Sequence, residues 1–188
     1  MLETLEPRPL MPAVASPMRA RAAAPSAMWS IDCPAAVPRR IHRICHELAR
    51  ANMGPYLAAR SLIWDAAAWD ERTAQRQFWL LTEHGKFAGF ATTQRDRYAR
   101  PSLHIGDLQL LGAARQRGGG TALLNAILTA ALADGCQFVS LNVFVDNPAV
   151  RLYARFGFEN ICIEDDKFRM YKPLHDRAVR GPVPESSN

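Results

Sequence analysis

The chain has 188 residues, 48% of them hydrophobic, and a formal net charge of +5, which fits one globular domain with a substantial core and excludes two large ones. No apolar run approaches the ~20 residues of a membrane span, the N-terminus lacks the apolar stretch of a secretory signal, and no basic block marks a nucleic-acid face. Cys33, Cys45, Cys136 and Cys162 are scattered without a C-x-x-C pair, which fits reduced thiols in a cytoplasmic protein and argues against a disulfide framework or a metal site.

Residues 1–27 are rich in Pro, Ala and Arg without periodicity and read as a disordered extension; Glu3 and Glu6 argue against a transit peptide. The folded domain, 28–174, starts with a strand at Met28-Trp29-Ser30-Ile31-Asp32. After Pro38, apolar residues at Ile41, Ile44, Cys45 and Leu48 share one helical face. His42 and His46 lie beside each other on that helix, but the second histidine of H-E-x-x-H is missing, so they read as a solvated or substrate-facing edge. A second helix, 55–68, is expected after Gly54-Pro55, where Tyr56, Leu57, Leu62, Ile63 and Trp64 could wall a substrate pocket.

Strand periodicity then predicts a hairpin of 76–82 and 87–93, followed by a third strand over 103–111, together an antiparallel meander. An apolar helix over 119–134 stops at Asp134-Gly135, and a strand at 138–144 completes a β-α-β crossover with parallel strands. Asp146-Asn147-Pro148 opens a short helix with Asn147 as its cap, Pro148 at its first position and Gly157 at its end. Residues 158–163 and 167–173 can close the sheet, and 175–188 read as a flexible tail.

The junction Leu110-Leu111-Gly112-Ala113-Ala114-Arg115-Gln116-Arg117-Gly118-Gly119-Gly120-Thr121 carries the first chemical signal. A glycine-rich turn entering a helix lets unpaired backbone N–H groups meet an anion. No Lys-Ser/Thr pair follows the glycines, so it is not a P-loop, and Leu123 stands where G-x-G-x-x-G needs its last glycine. The loop resembles the R/Q-x-x-G-x-G/A acyl-CoA loop of the GNAT superfamily of N-acetyltransferases. The segment Asn147 to Phe158 is similar to that superfamily's N-x-x-A-x-x-L-Y-x-x-x-G-F motif, with Ala149, Leu152, Tyr153, Gly157 and Phe158 in register. Asp146 stands at the motif's asparagine and Asn147 comes one residue late. Gly112 replaces a frequent proline and Gly119 an apolar residue, two changes expected to loosen the loop.

The resemblance implies an α/β (α+β) GNAT fold: a mixed central sheet flanked by helices on both faces and splayed in a V between the strand ending at Leu111 and the strand 138–144. It implies acetyl-CoA as acyl donor, with no metal. The pyrophosphate would rest on the N–H groups from Gln116 through Arg117, Gly118, Gly119 and Gly120 to Thr121, beside Arg115, and pantetheine would run along Leu108 to Leu110. A bulge in that strand would free the Leu110 N–H for the thioester oxyanion. Asn147 would add a cofactor contact to its capping role. Tyr153, offset from a buried stripe of Ala149, Leu152 and Phe156, would face the leaving sulfur; the competing reading is a tyrosine that caps the core. Proton transfer from a phenol near ~10 to a thiolate near ~8.5 is uphill by roughly 2 kcal/mol, so a hydrogen bond is the expected role.

The acceptor amine needs a base or a water relay. His104 matches the position where family members carry one, and its reference pKa near ~6.5 suits the task. Asp107 is the runner-up, on the opposite face by strict alternation unless a bulge intervenes. The implied activity is acetyl transfer to a primary amine by direct attack in a ternary complex; Cys136 and Cys162 lack a nucleophile setting. Two alternatives are an acyl-CoA-binding regulatory module without turnover and a modifier of a ribosomal or basic protein. A homodimer is left open. Trp64, Asp65, Trp69, Asp70 and Glu71 could form an aromatic and acidic mouth for a cationic amine, although ordinary packing is the preferred reading.

Overall fold

A computed structural model describes residues 28–96 and 101–174; the extension at 1–27 and the tail at 175–188 lie outside the described residues. The strands are β1 (Trp29–Asp32), β2 (Gln77–Glu83), β3 (Lys86–Asp96), β4 (Ser102–Leu110), β5 (Phe138–Phe144), β6 (Glu159–Glu164) and β7 (Lys167–Pro173), and the helices α1 (Arg39–Ala58), α2 (Ala66–Thr73), α3 (Gly119–Ala133) and α4 (Val150–Arg155). One mixed sheet runs in the order β1-β2-β3-β4-β5-β7-β6. The meander β2-β3-β4 is antiparallel, and the crossover through α3 makes β4 and β5 parallel, both as expected.

Side-chain alternation divides the core between the two faces of the sheet. Trp79 and Leu81 pack with Leu123, Leu124 and Ile127 of α3. Phe78 and Phe90 pack with Cys45, Leu48 and Ala49 of α1 and Trp69 of α2. Burying both faces accounts for the near-continuous apolar reading of β2 and β5.

The first two helices differ from the sequence expectation. Helix α1 continues through Gly54 and Pro55 to Ala58. Pro55 falls near the C-terminal end, where its missing N–H forfeits one helical hydrogen bond. Tyr56, stacked on Phe144 with ring centroids 5.9 Å apart, and Asn52, bonded to β4, hold that turn in place. The buried stripe of α1 is Cys45, Leu48 and Ala49, while Ile44 is 37% exposed. The break comes later, and α2 starts where the Asp65 carboxylate accepts the Ala68 N–H at 2.9 Å. The signal for it, an Asp before an alanine run, was present in the sequence.

The aromatic and acidic mouth does not form: Trp69 is 2% exposed and Asp65 is a helix cap. His42 and His46 are not a solvated edge either. His42 lies 5.2 Å from the Trp69 ring, and Trp64 Nε1 donates to His46 Nε2 at 3.1 Å.

Candidate active site

The ladder between β4 and β5 covers only Ser102↔Phe138 through Ile105↔Leu141. Beyond it β4 continues to Leu110 and β5 to Phe144, so the two strands separate and leave facing edges unpaired. The separation starts at Gly106, which the register shift between Thr92 and Thr93 leaves as an extra residue on β4. The expected bulge is therefore present, four positions upstream of Leu110.

The bulge decides which groups meet. It brings Asp107 to the same face as His104, overturning strict alternation. It also sets the hydrogen-bonding phase of the rest of β4. Leu111 N–H donates to the Ala88 carbonyl at 2.9 Å, so residues 109 and 107 bond toward β3 while the backbone groups of Leu108 and Leu110 point into the gap. Asn52 Nδ2 donates to the Leu110 carbonyl at 3.2 Å and to Gln109 Oε1 at 3.1 Å, which places the C-terminal part of α1 against this edge.

At the upper end of the gap a short 3₁₀ turn, Gly112–Ala114, leads into the loop and α3. Gly118 sits at φ +91°, a backbone that favours glycine, and serves as the N-terminal cap of α3. The N–H groups of Gln116 to Thr121 bond to no backbone acceptor among the described residues; the first such bond is Ala122 N–H to the Gly118 carbonyl, 2.9 Å. The loop is not loosened at Gly119, as the sequence suggested. A methyl group there would lie 3.0 Å from the Ala114 carbonyl oxygen, and one at Gly120 would lie 2.9 Å from Leu152 Cδ2. These glycines seat the first turn of α3 tightly against the 3₁₀ turn and α4. The arginines have protein partners: Arg115 Nη2 donates to Asn52 Oδ1 at 2.5 Å, and Arg117 pairs with Glu83 at 2.5 and 3.2 Å. The donors without protein partners among the described residues are thus backbone N–H groups at a helix N-terminus.

Helix α4 packs beside them. Its regular part starts at Val150, so Asn147 is not its immediate cap; Asn147 Oδ1 instead accepts the Ala149 N–H at 2.9 Å, two residues earlier than a helix cap at Ala149. Asp146, at the family motif's asparagine position, is bound by Arg60 at 3.0 Å. Tyr153 is not offset from the buried stripe. It is 6% exposed, more deeply buried than its α4 neighbours, with its ring 5.8 Å from Phe158. Its hydroxyl has no hydrogen-bond partner among the described residues. Burial, and then the charge of Asp107, push its pKa above the ordinary phenol range, so it remains a proton donor at neutral pH.

On the α1 face, His104 Nδ1 lies 3.0 Å from Ser140 Oγ. Thr92 Oγ1 donates to Asp107 Oδ2 at 2.7 Å, and Arg76 Nη1 stands 3.6 Å from the same oxygen. Burial, then Arg76 and Arg169, depress the His104 pKa to about 4. The reference value near 6.5 does not apply, and the ring is neutral at pH 7. The Asp107 field also contributes to raising the Cys45 thiol to about 12, after burial. One carboxylate is therefore felt from α1, β4 and α4. Arg76, Thr92 and Ser140 lie on three separate strands or strand approaches, and no contiguous motif marks them in the sequence. A cleft of about 380 Å³ lined by Glu83, Lys86, Phe87, Leu111 and Arg117 lies on the outer side of the loop and contains none of Tyr153, His104 or Asp107. The three candidate residues lie along the gap, not in that cleft.

The family model described as "Acetyltransferase (GNAT) family" matches residues 41–158. Among solved structures, the ribosomal-protein-S18-alanine N-acetyltransferase from Escherichia coli is similar at a TM-score of 0.62 and 18% identity, over 83% of this chain and 100% of that one. Arabidopsis thaliana Naa50, in complex with the bisubstrate analogue CoA-Ac-MVNAL, is similar at 0.58 and 19%, over 78% and 99%. An aminoglycoside 6'-N-acetyltransferase complexed with coenzyme A is similar at 0.62 and 12%, over 78% and 98%.

Proposed function

The chain belongs to the acetyltransferase (GNAT) family, and from that premise we propose that it transfers an acetyl group from acetyl-CoA to a primary amine by direct attack in a ternary complex. The observation that carries this reading is the end of β4–β5 pairing at Ile105, which leaves an extended edge and an anion-accepting helix N-terminus at opposite ends of one gap. Pyrophosphate would take the N–H groups of Gln116 to Thr121, and the pantetheine amides would take the backbone of Leu108 and Leu110. The Leu108 N–H, farther from the pyrophosphate loop than Leu110 and beside Asp107, would receive the thioester oxygen, where negative charge develops.

The acceptor would enter on the α1 face. Its ammonium first loses one proton to Asp107 or to water beside it. The amine nitrogen then attacks the carbonyl carbon, a C–N bond forms and the C–S bond breaks, and the nitrogen sheds its second proton. The departing sulfur takes one proton and the other leaves to solvent. Tyr153 would donate a hydrogen bond to the developing thiolate without surrendering its proton, because its pKa lies above that of a thiol. His104 would act as a neutral link, held by Ser140, and not as the group that stores the proton. The scattered cysteines support a cytoplasmic enzyme, and among the described residues no helix is long and apolar enough to cross a membrane.

The decisive experiment pairs CoA binding with thiol release over a panel of amines. CoA at about 100 times its Kd should stabilise the fold by roughly 2.7 kcal/mol. Tyr153→Phe should retain that stabilisation and turn over roughly 10- to 100-fold more slowly. No thermal shift at millimolar CoA, or equal turnover by the variant, contradicts the respective part of the reading.

A further inference from the structure

The α1 face of the gap contains a cation with no hydrogen-bond partner among the described residues. The Arg76 side chain is 13% exposed, yet among the described residues its only ionic contact is Asp107 Oδ2 at 3.6 Å, too long for a hydrogen bond. Its Nε is fully buried without an acceptor, and none of its side-chain donors is bonded among the described residues. Leaving the buried Nε unpaired is costly, more so because it belongs to a charged group. The carboxylate beside it is also incompletely used: Asp107 Oδ2 takes the Thr92 hydroxyl, while Oδ1 has no partner among the described residues.

The local architecture keeps this guanidinium in place. Arg76 precedes β2 and crosses the sheet over the β4 bulge, where a methyl group on Gly106 would collide with Arg76 Nη1 and Cζ and lie 3.1 Å from Thr92 Oγ1. The absent side chain at the bulge is the slot that Arg76 fills. The neighbouring charges deepen the positive field. Arg72 of α2 acts on Arg76, and Arg169 of β7 reaches His104. Arg169 is itself paired with Glu164 at 2.8 Å, whereas Arg76 has no hydrogen-bond partner among the described residues, beside the proposed reaction centre.

We infer that the acceptor is an amine carrying a carboxylate, of the α-amino acid type, with its carboxylate on the Arg76 guanidinium and its ammonium on Asp107 Oδ1. This rests on the acetyl-transfer reading and names its substrate class. A planar fork with free donors beside a half-used carboxylate matches a zwitterionic head group, because each charge of the ligand meets the opposite charge of the protein. The same positive field disfavours polycationic acceptors, which would bring further ammonium groups against Arg72, Arg76 and Arg169. Seating the ammonium at Asp107 also places the nitrogen beside the bulge from which the Leu108 and Leu110 edge opens.

The test compares each standard amino acid with its carboxamide and its decarboxylated amine in a thiol-release assay with acetyl-CoA. The best amino acid should exceed both counterparts in kcat/KM by at least about 100-fold, since a site built around a buried donor rejects analogues that leave it unpaired. Arg76→Gln should bring that amino acid down to the level of its amide, chiefly through KM, and Arg76→Lys, with charge but no fork, should fall between. Thermal stabilisation of the CoA-loaded protein by the amino acid gives a second readout, expected for wild type and lost in Arg76→Gln. Equal turnover of acid, amide and amine by wild type overturns the inference whether or not the variants fold, as does a preference that survives in Arg76→Gln. Absence of thiol release with every amine sinks the transfer reading instead. The binding arm then decides the carboxylate seat alone: stabilisation by an amino acid that needs Arg76 supports it, and none with any amino acid at millimolar concentration overturns it.

Discussion

The two sides of the β4–β5 gap are built on different principles. Toward α3 and α4, the site is backbone: N–H groups from Gln116 to Thr121 without a backbone acceptor among the described residues, a left-handed Gly118, and apolar packing that brings Leu152 against Gly120. Toward α1, it is side chains: Arg76, Thr92, His104, Asp107 and Ser140, joined by two hydrogen bonds and one long ion pair. On the proposed reading, backbone donors would recognise what all CoA esters share, and side-chain charges what differs between acceptors. The three structural neighbours, named for a ribosomal protein, a peptide analogue and an aminoglycoside, share only the fold with this chain at low identity, and their names do not carry over to its acceptor.

The largest expected effect tests whether the acceptor side has the desolvated, positive character assigned to it. The His104 pKa is depressed to about 4, so the unfolded chain takes up a proton near pH 6.5 that the folded chain refuses. The stability that neutral His104 permits is therefore complete above pH 6.5 and is lost as the pH falls from 6.5 to 4. The loss should reach about 3 kcal/mol. Denaturant titrations should show it in wild type and not in His104→Gln. A wild-type profile identical to that of the variant would mean that the α1 face is more solvated than its geometry indicates.

Next in size is the proposed role of Tyr153 at the α4 side of the gap. Tyr153→Phe removes a hydroxyl without emptying the core that its ring fills, so stability should barely change. The lost hydrogen bond to a charged leaving group amounts to about 1.5–3 kcal/mol, which is roughly a 10- to 100-fold fall in kcat at unchanged CoA affinity. Steady-state kinetics with CoA titrations separate the two. Gly118→Ala should come third. At φ +91° a β-carbon costs about 1–2 kcal/mol, read as a lower denaturation midpoint, and the distorted cap should weaken CoA binding while leaving the ratio between competing acceptors untouched. A changed acceptor ratio would show that the two sides are not independent.

The same contrast explains what the sequence made legible. The cofactor side rests on two contiguous stretches, 110–124 and 146–158, whose glycines and Tyr153 keep fixed spacings along a strand, a loop and a helix, and so the family resemblance could be read from them. Burial was not legible there. Gly119 read as a loosening substitution because its tight contact is with Ala114, across a turn, and Tyr153 read as off the stripe because a six-residue helix is too short for its face to be fixed by periodicity. The acceptor side brings together residues from the approach to β2, from β3, β4 and β5. Its decisive feature is one extra residue at Gly106, which reverses the facing of everything after it. A single glycine in a strand announces a bulge only weakly. The α1 boundary failed for a related reason: Gly54-Pro55 breaks helices locally, and here the contacts of Asn52 and Tyr56 across the gap outweigh it.

The smallest effect settles which side Asn147 belongs to. Its carboxamide accepts the Ala149 N–H at 2.9 Å, which organises the turn before α4, while the family motif would assign its asparagine to the cofactor. Replacing a capping side chain by alanine costs about 1 kcal/mol, a fall of roughly 2–4 °C in Tm for a chain of this size. Asn147→Asp restores an acceptor oxygen in the same place and should recover the Tm, but its negative charge would repel a bound pyrophosphate or phosphate. If Asn147 only caps, Asn147→Asp keeps wild-type CoA affinity as well as wild-type Tm. If it also meets the cofactor, Tm recovers while CoA affinity falls. We expect the first outcome, because Asp146, which stands at the motif's position, is already taken by Arg60 at 3.0 Å and the one-residue offset turns Asn147 to the start of α4.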